Sequence, residues 1–390
     1  MLNQEVYEEL IAKFEAKYGT KPEIVAYAPG RIEVLGNHTD YNEGYVFSAA
    51  IDKGTFFAVS PAEGTASELT AADLMETVSF DVTDVKPVKE MTWANYVLGS
   101  FNWLFDGKTA DAKTGFNAMF LGNIPLGAGL SSSAALEMCT LLALKKLYGI
   151  EKDKTETAKI GQKAEHTFAG CPCGLLDQAS SLYGEEGALV KSDFRYNKFE
   201  SIPMGNGVAF MMVKSNAKHA LVDGAYASRR EACEDAAKYF ASVLRKDVTH
   251  LRDVTMAEWV LYRGGLTETT AKRAVHPIGE DERVLQGAEL LAKGDLKGFG
   301  ALMYDSHESS RNWFENSCEE LDAIVDAAKA IPEVYGARLS GGGFGGSCCL
   351  LVDPTAADRI AAVITKQYKA KFGDEPVCSL IKPSQGAHLV

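Results

Sequence analysis

Nowhere in its 390 residues does the chain run about eighteen apolar residues together, so no membrane-spanning helix is expected. The opening MLNQEVYEELIAKFEAKYG lacks the charged-then-apolar order of a secretory signal and reads instead as an amphipathic helix. A cytoplasmic location is the expectation. Cations are in short supply: 40 Lys and Arg face 53 Asp and Glu, and a net charge of −13 would repel an extended phosphate backbone, so nucleic acid is not expected as a partner. Eight cysteines, Cys139, Cys171, Cys173, Cys233, Cys318, Cys348, Cys349 and Cys378, include no CxxC and no paired metal-ligand spacing. They are expected as reduced thiols used as small buried hydrophobes. Internal repeats and low-complexity tracts are missing too. The oligomeric state is not legible in the sequence, with a monomer favoured.

What is present is an ordinary globular composition, 46% hydrophobic and 24% charged, long enough for two domains. The runs EIVAYAP, GTFFAVSP, ETVSFDV and TGFNAMFLGNIP read as strands, mixed with helical stretches over Ser131 to Tyr148 and Thr155 to Phe168. After about residue 200 come a strand-like GVAFMMVKS, long helical segments, a late strand-rich GARLSGGGFGGSCCLLV and a helix over Thr355 to Phe372. That order predicts an α+β protein with a break near residue 200.

Three glycine-bearing stretches carry the chemistry. GRIEVLGNHTDYNEG (Gly30 to Gly44) gathers Arg31, Glu33, His38 and Asp40; a polar turn between strands explains Gly36, Asn42 and Gly44, but not Arg31, His38 and Asp40 together. PLGAGLSSSAALEMCTLLALKKLYG runs glycines and serines into an apolar helix, and unpaired N–H groups at such a helix start make an anion site suited to phosphate. A serine N-cap on a core helix would need only one serine. No lysine follows, so a Walker-type loop is not supported. LSGGGFGGSCCLLV contains a formal GxGxxG but continues into β-prone residues where a dinucleotide fingerprint opens a helix, so a glycine loop between strands is expected. Between them, AEHTFAGCPCGLLDQASSLYG supplies Glu165 and Asp177, which taken alone read as a solvated helix residue and a helix N-cap.

Together these motifs resemble the galactokinases of the GHMP small-molecule kinase superfamily. GRIEVLGNHTDYNEG, PLGAGLSSSAALE and LSGGGFGG occur in the family's order, and WANYVLG, AEHTFAGCPCGLLDQ, SNAKHALVDGAYASRR and SHESSRNWFENSCEELD extend the likeness over essentially the whole chain. The resemblance implies a two-domain α+β GHMP fold: an N-terminal ribosomal-protein-S5-like β/α domain over 1–200 and a C-terminal ferredoxin-like domain over 201–390, with the active site between them. It implies transfer of the γ-phosphoryl of ATP to the C1 hydroxyl of a galactose-type sugar, with Mg²⁺ as cofactor. By the same resemblance Asp177 is the catalytic base, and Arg31 stabilises the developing alkoxide and the charged form of that aspartate. Gly127, Gly129, Leu130, Ser131, Ser132, Ser133 and Ala134 wrap the ATP phosphates, and Ser132, or else Ser133, holds Mg²⁺ with Glu165. Asn37, His38, Asp40, Gly174, Tyr226 and Glu33 face the sugar, while the glycines of the third motif support the phosphate loop and the sugar pocket.

One departure bears on the substrate. The family's first motif reads GR-x-N-x-x-GEH-x-DY, whereas here Glu33 stands at the asparagine position and Asn37 at the glutamate position. That glutamate accepts from the sugar's C6 hydroxyl in relatives, so galactose is the first expectation and a C6-modified relative, galacturonate or L-arabinose, the alternative. Glu33 reaching across the turn would restore the acceptor. A sugar and ATP sensor without turnover is a further class, against which Arg31, Asp177, Ser133 and Ala134 are all retained.

Overall fold

The computed structural model describes residues 2–125, 129–217 and 222–390. An N-terminal helix α1 (Leu2–Tyr18) leads into strands β1 (Ile24–Leu35), β2 (Tyr45–Ala62), β3 (Ala66–Ala71) and β4 (Glu76–Asp81). Helix α2 (Ala94–Leu104), strand β5 (Gly115–Gly122) and helices α3 (Ser132–Tyr148), α4 (Lys154–Ala164) and α5 (Leu176–Tyr183) follow, then β6 (Ala188–Asp193), β7 (Lys198–Pro203) and β8 (Ala209–Lys214). The second half holds α6 (Val222–Val243), α7 (Met256–Tyr262), α8 (Glu268–Ala292), α9 (Leu296–Ser309), α10 (Glu319–Lys329), β9 (Val334–Ser340), β10 (Ser347–Val352), α11 (Ala357–Phe372), β11 (Val377–Ile381) and β12 (His388–Leu389).

Two sheets organise the chain. The larger runs β12-β1-β2-β5-β3-β4, with β6 and β7 joined through β2. It is buried on both faces, and strand alternation sorts the side chains. Val25, Tyr27, Phe56, Ala58, Met119 and Leu121 pack with Leu10 and Phe14 of α1. Their neighbours Ala26, Ala28, Phe57, Val59, Ala118 and Phe120 face the core that contains Leu136, Met138 and Leu141 of α3. The smaller sheet is antiparallel with order β11-β8-β10-β9. Numbered by its own four strands this is 4-1-3-2, the ferredoxin-like order, with helices α6 to α9 inserted before α10. Met211, Val213, Leu339, Cys348 and Leu350 pack on α10 and α11, whereas Phe210, Met212, Cys349 and Leu351 join the main core.

Several expectations shift in detail. The first motif is not all turn: β1 continues through Leu35 and includes Gly30 to Leu35, because Ile32 and Val34 are wholly buried core residues while Arg31 and Glu33 alternate to the other side. The helix expected over Thr155 to Phe168 is α4, closed at Asp153 by a capping box with Glu156, and then a π turn over Glu165–Ala169. Around residue 200 the chain is in mid-strand within β7, and β12 returns to pair with β1. LSGGGFGGSCCLLV is a β9–β10 hairpin, as its β-prone continuation suggests. All eight cysteines are free; Cys139, Cys233, Cys348 and Cys349 are buried as expected, but Cys171 is exposed. No helix among the described residues is long and apolar enough to cross a membrane.

Gly30 is where the first two motifs meet. A Cβ there would run into the Leu130 carbonyl oxygen, to which the Arg31 N–H donates at 3.0 Å. Gly30→Ala is therefore expected to destabilise the fold by about 1–3 kcal/mol and to displace the loop ahead of α3. Urea unfolding together with the ATP KM checks this; an unchanged midpoint and KM would show that the contact is dispensable.

Candidate active site

Strand β1 presents Arg31 and Glu33 on one face, two residues and roughly 6–7 Å apart, to a cleft of about 650 Å³. The cleft is also lined by Asn37, His38, Asp40, Cys171, Cys173, Gly174, Asp177, Tyr226, Gly341 and Gly342. Arg31 forks onto Asp177, Nε donating to Oδ1 at 2.7 Å and Nη2 to Oδ2 at 2.9 Å, while Nη1 donates to the Gly129 carbonyl at 2.6 Å. The Ser131 hydroxyl donates to the same carboxylate. Asp177 thus lies in the first turn of α5 without capping it; Leu175 takes that position.

The exchanged acid and amide form one network. Asn37 Nδ2 donates to Glu33 Oε1 at 2.7 Å and to the Gly341 carbonyl at 2.8 Å, and Asn37 Oδ1 accepts from Asn316 Nδ2 at 3.0 Å. Both amide protons of Asn37 are therefore committed. Arg338, wholly buried, donates to Glu33 Oε1 at 3.2 Å, and Glu33 Oε2 has no hydrogen-bond partner among the described residues. Burial raises the Glu33 pKa, with Arg338 opposing. Glu33 and Asn37 both line the cleft, and of their side-chain oxygens Glu33 Oε2 is the one without a partner among the described residues.

His38 has φ 61°, a left-handed conformation rare outside glycine. Its Nε2 lies 3.2 Å from the Gly342 carbonyl, which requires a proton there, so Nδ1 accepts from the Tyr41 hydroxyl at 2.9 Å. Burial lowers its pKa to about 4, keeping it neutral. Both nitrogens are taken, so a ligand hydroxyl meets the ring edge or competes for Gly342. Tyr226, from α6, lies 5.1 Å from the His38 ring. Asp40 sits against Gly174, where any Cβ would strike the carboxylate. Burial first, then the negative charges of Glu33 and Asp177, push Asp40 up to about 6. The third motif's contacts are on this side of the cleft: Gly341 and Gly342 carbonyls hold Asn37, His38 and Asn316.

On the other side of Asp177 lies the start of α3. Ser131 has φ 56° and no side chain caps the helix, so the first-turn N–H groups are not claimed by a serine. Gly129, Leu130, Ser132, Ser133 and Ala134 surround this end; Gly127 lies outside the described residues. Ser133, rather than Ser132, donates to Glu165, Oγ to Oε1 at 3.3 Å. Glu165 is buried, not solvated, because the π turn swings it inward, and its Oε2 accepts from Gln178 Nε2 at 2.9 Å and from the Cys173 thiol. Burial raises its pKa, and it has no lysine, arginine or histidine partner among the described residues. A buried carboxylate with a neighbouring hydroxyl and no counter-ion suits a hard cation such as Mg²⁺. A second pocket of about 330 Å³ opens beside Ser132 and Ser133, walled by Trp93, Tyr96 and Phe120 with Asp73 at its rim.

Residues 12–61 match the galactokinase galactose-binding signature, 95–185 the GHMP kinases N terminal domain and 288–370 the GHMP kinases C terminal domain. A galactokinase of Haemophilus influenzae (strain PittGG) is 37% identical over 381 residues, 97% of each chain. The chain belongs to the galactokinase family. A Bos taurus galactokinase is 38% identical over 372 residues, 92% of each chain. The structure of Lactococcus lactis galactokinase complexed with galactose superposes with a TM-score of 0.91 at 29% identity, covering 98% of this chain and 99% of that one. Mevalonate kinase of Methanococcus jannaschii, at 19% identity and TM-score 0.61, shares the fold alone over 93% of this chain and 98% of that one.

Within this galactokinase-family fold, sequence reasoning missed the aromatic pocket, although WANYVLG, which holds Trp93 and Tyr96, was one of the family-like segments. It also missed Asn316 and Arg338, which hold the exchanged pair from 279 to 305 positions away. Asp40 yields a test with opposite signs. Between 3.8 and about 6 the native state holds a proton that the unfolded chain has lost, so this group's contribution to stability weakens as pH rises through that window. At pH 7.5, Asp40→Asn should therefore melt higher than wild type, the advantage fading as pH falls below about 6, while kcat/KM for the sugar drops by about a hundredfold or more. Thermal scans and initial rates decide; an Asp40→Asn protein that melts lower at pH 7.5 would show that the carboxylate is not carrying a burial cost.

Proposed function

We propose that this chain is a working galactokinase, transferring the γ-phosphoryl of ATP to the C1 hydroxyl of D-galactose. The observation that carries the reading is the Arg31–Asp177 fork at the floor of a cleft whose other wall is a set of sugar-sized acceptors. Asp177 accepts the C1 proton as the oxygen attacks, and Arg31 is placed to offset the charge that develops on that oxygen. Asp40 and Glu33 accept from ring and C6 hydroxyls, with the Gly174 backbone, His38 and Tyr226 closing the ring's faces. Asn37 orients Glu33 instead of touching the sugar. Phosphate groups lie on the loop from Gly129 to Ala134 at the open end of α3, and the adenine fits the Trp93–Tyr96–Phe120 pocket. Ser133 or Ser132 with Glu165 would hold Mg²⁺, which supplies charge neutralisation on the phosphates. The domain boundary is proposed between β7 and β8, with the tail beyond β11 returning to the first domain. A monomer in the cytoplasm, drawing on the ATP pool there, accompanies the reading.

Glu33, Asp40 and Asp177 put three carboxylates around one cleft against Arg31 and the deeper Arg338. A uronate's charge would meet this excess of negative groups, and a pentose would leave Glu33 Oε2 unpaired. Initial rates with Mg²⁺ATP across D-galactose, D-galacturonate, L-arabinose, N-acetylgalactosamine and D-glucose test the substrate. Galactose is expected to lead; a uronate or arabinose preference would overturn the assignment of Glu33 to a neutral C6 hydroxyl. Asp177→Asn should lower kcat by about 10²–10⁴-fold with ATP affinity nearly unchanged. Near-normal turnover in that variant would remove Asp177 as the base, and turnover of no sugar by wild type would favour a sensor.

A further inference from the structure

The turn between β1 and β2 carries His38 and Asp40 into the cleft in an unfavourable backbone shape. Besides Gly36 (φ 94°), His38 (φ 61°) and Glu43 (φ 57°) are left-handed without being glycines. Such residues persist only where their surroundings over-determine them. Part of the restraint is internal: the single Thr39 hydroxyl proton is shared between the Gly36 and Tyr45 carbonyls, and Asn42 Nδ2 donates to the His38 carbonyl. Three main-chain N–H groups of this segment, however, point out of it and onto α8. Glu280 Oε2 accepts from Gly36 N at 2.8 Å and Asn37 N at 2.7 Å, and Asp281 Oδ1 accepts from Tyr45 N at 2.7 Å. Two consecutive acids thus grip both ends of one loop. The same helix supports His38 from behind, since His276 stacks on Phe314 at 4.7 Å and Phe314 lies 4.6 Å from the His38 ring.

We infer that Glu280 and Asp281 are positioning residues for sugar recognition: they fix the main chain beneath His38 and Asp40, and so set sugar affinity without touching the sugar or the nucleotide. Neither lines the cleft. Of the two, Glu280 is the charge-dependent member. It is fully buried, and its second oxygen takes Arg283 Nε at 2.6 Å, so both oxygens face donors only. Burial opposes its charge, but Arg283, His276, Arg338 and the Asn37 N–H together hold its pKa down at about 2. In Glu280→Gln the new NH₂ must face either Arg283 or the two loop amides, so one side of the clamp breaks. Asp281 differs: its Oδ2 is buried without a hydrogen-bond partner among the described residues, and burial pushes the group up to about 7. An asparagine there keeps the acceptor for Tyr45 N and puts a neutral group at the orphan oxygen.

This inference rests on the proposed galactose kinase reading, and its test separates the two. Galactose and ATP KM, kcat, and hydrogen exchange at the Gly36, Asn37 and Tyr45 amides are measured for wild type, Glu280→Gln, Glu280→Asp, Asp281→Ala and Asp281→Asn. In Glu280→Gln the galactose KM is expected to rise about tenfold or more, the worth of a charge-assisted bond, with faster exchange at Gly36 and Asn37 and with ATP KM and kcat held within about twofold. Asp281→Ala, which removes the acceptor for Tyr45 N, should raise the galactose KM and speed exchange at Tyr45, and Asp281→Asn, which keeps the acceptor, should restore both; an Asp281→Ala protein unchanged in both overturns the part given to Asp281. A folded Glu280→Gln with unchanged galactose KM and unchanged exchange overturns the inference, as does a parallel rise in ATP KM, which marks general loosening. If Glu280→Gln does not fold, Glu280→Asp, which keeps the charge but is one methylene shorter, is read by the same criteria. If wild type turns over no galactose, the functional reading fails, and amide exchange in the variants alone decides the clamp.

Discussion

A single guanidinium joins the strand, loop and helix around which the proposed chemistry is arranged. Arg31 sits on a central strand, forks onto a carboxylate 146 positions later and holds the carbonyl of Gly129 in the proposed phosphate loop. Its own N–H donates to Leu130 in that loop, through a gap that exists only because residue 30 has no side chain. Strand, loop and helix α5 therefore have one register relative to each other. Charge-assisted bonds of this kind contribute roughly 1.5–3 kcal/mol each when partly shielded from water, so the assembly is held at its reacting centre and not only at its core.

Around that centre the cleft is rich in acid. Asp40 and Glu33 are kept in surroundings that favour their neutral forms, and Arg338, the Asn37 amide and Arg31 offset the burial of Glu33 only in part. A neutral polyol relieves this situation by donating hydroxyl protons to oxygens that lack them. An apolar or anionic ligand does not. Stability given up by burying these groups is thus recovered when the right ligand arrives, a common arrangement at sites that violate the rules of a well-packed interior.

Much of this was legible because it is local. Period-two alternation separates Arg31 and Glu33 from Ile32 and Val34, glycines mark the loops, and a helix start crowded with small residues is the pattern from which a phosphate site is proposed. The acid and amide exchange was visible as a departure at positions 33 and 37, and the possibility that Glu33 reaches across was open from the sequence; only the Glu33, Gly341 and Asn316 contacts show that the polar atoms of the Asn37 side chain are all paired. What stayed hidden comes from side chains whose sequence neighbourhoods are unremarkable. Glu280 and Asp281 look like the solvent face of an amphipathic helix, and Glu165 looks like one more residue of an uninterrupted helix until the π turn rotates it inward. Burial by a distant element leaves no local trace in composition or spacing.

The cleft and its supports are drawn from the whole length of the polypeptide: Arg31 near its start, Asp177 in the middle and Gly341 toward its end line it, and Glu280 and Asn316 brace it from behind. During synthesis, a chain that has reached about residue 200 can build most of the large sheet and the Arg31–Asp177 fork, but the strained turn carrying His38 has none of its late supports. Strand β1 likewise keeps an unpaired edge until β12 arrives. The half-made protein can therefore gain little from galactose in the cell, and its exposed strand must wait out the rest of translation before the ligand can act as a folding partner.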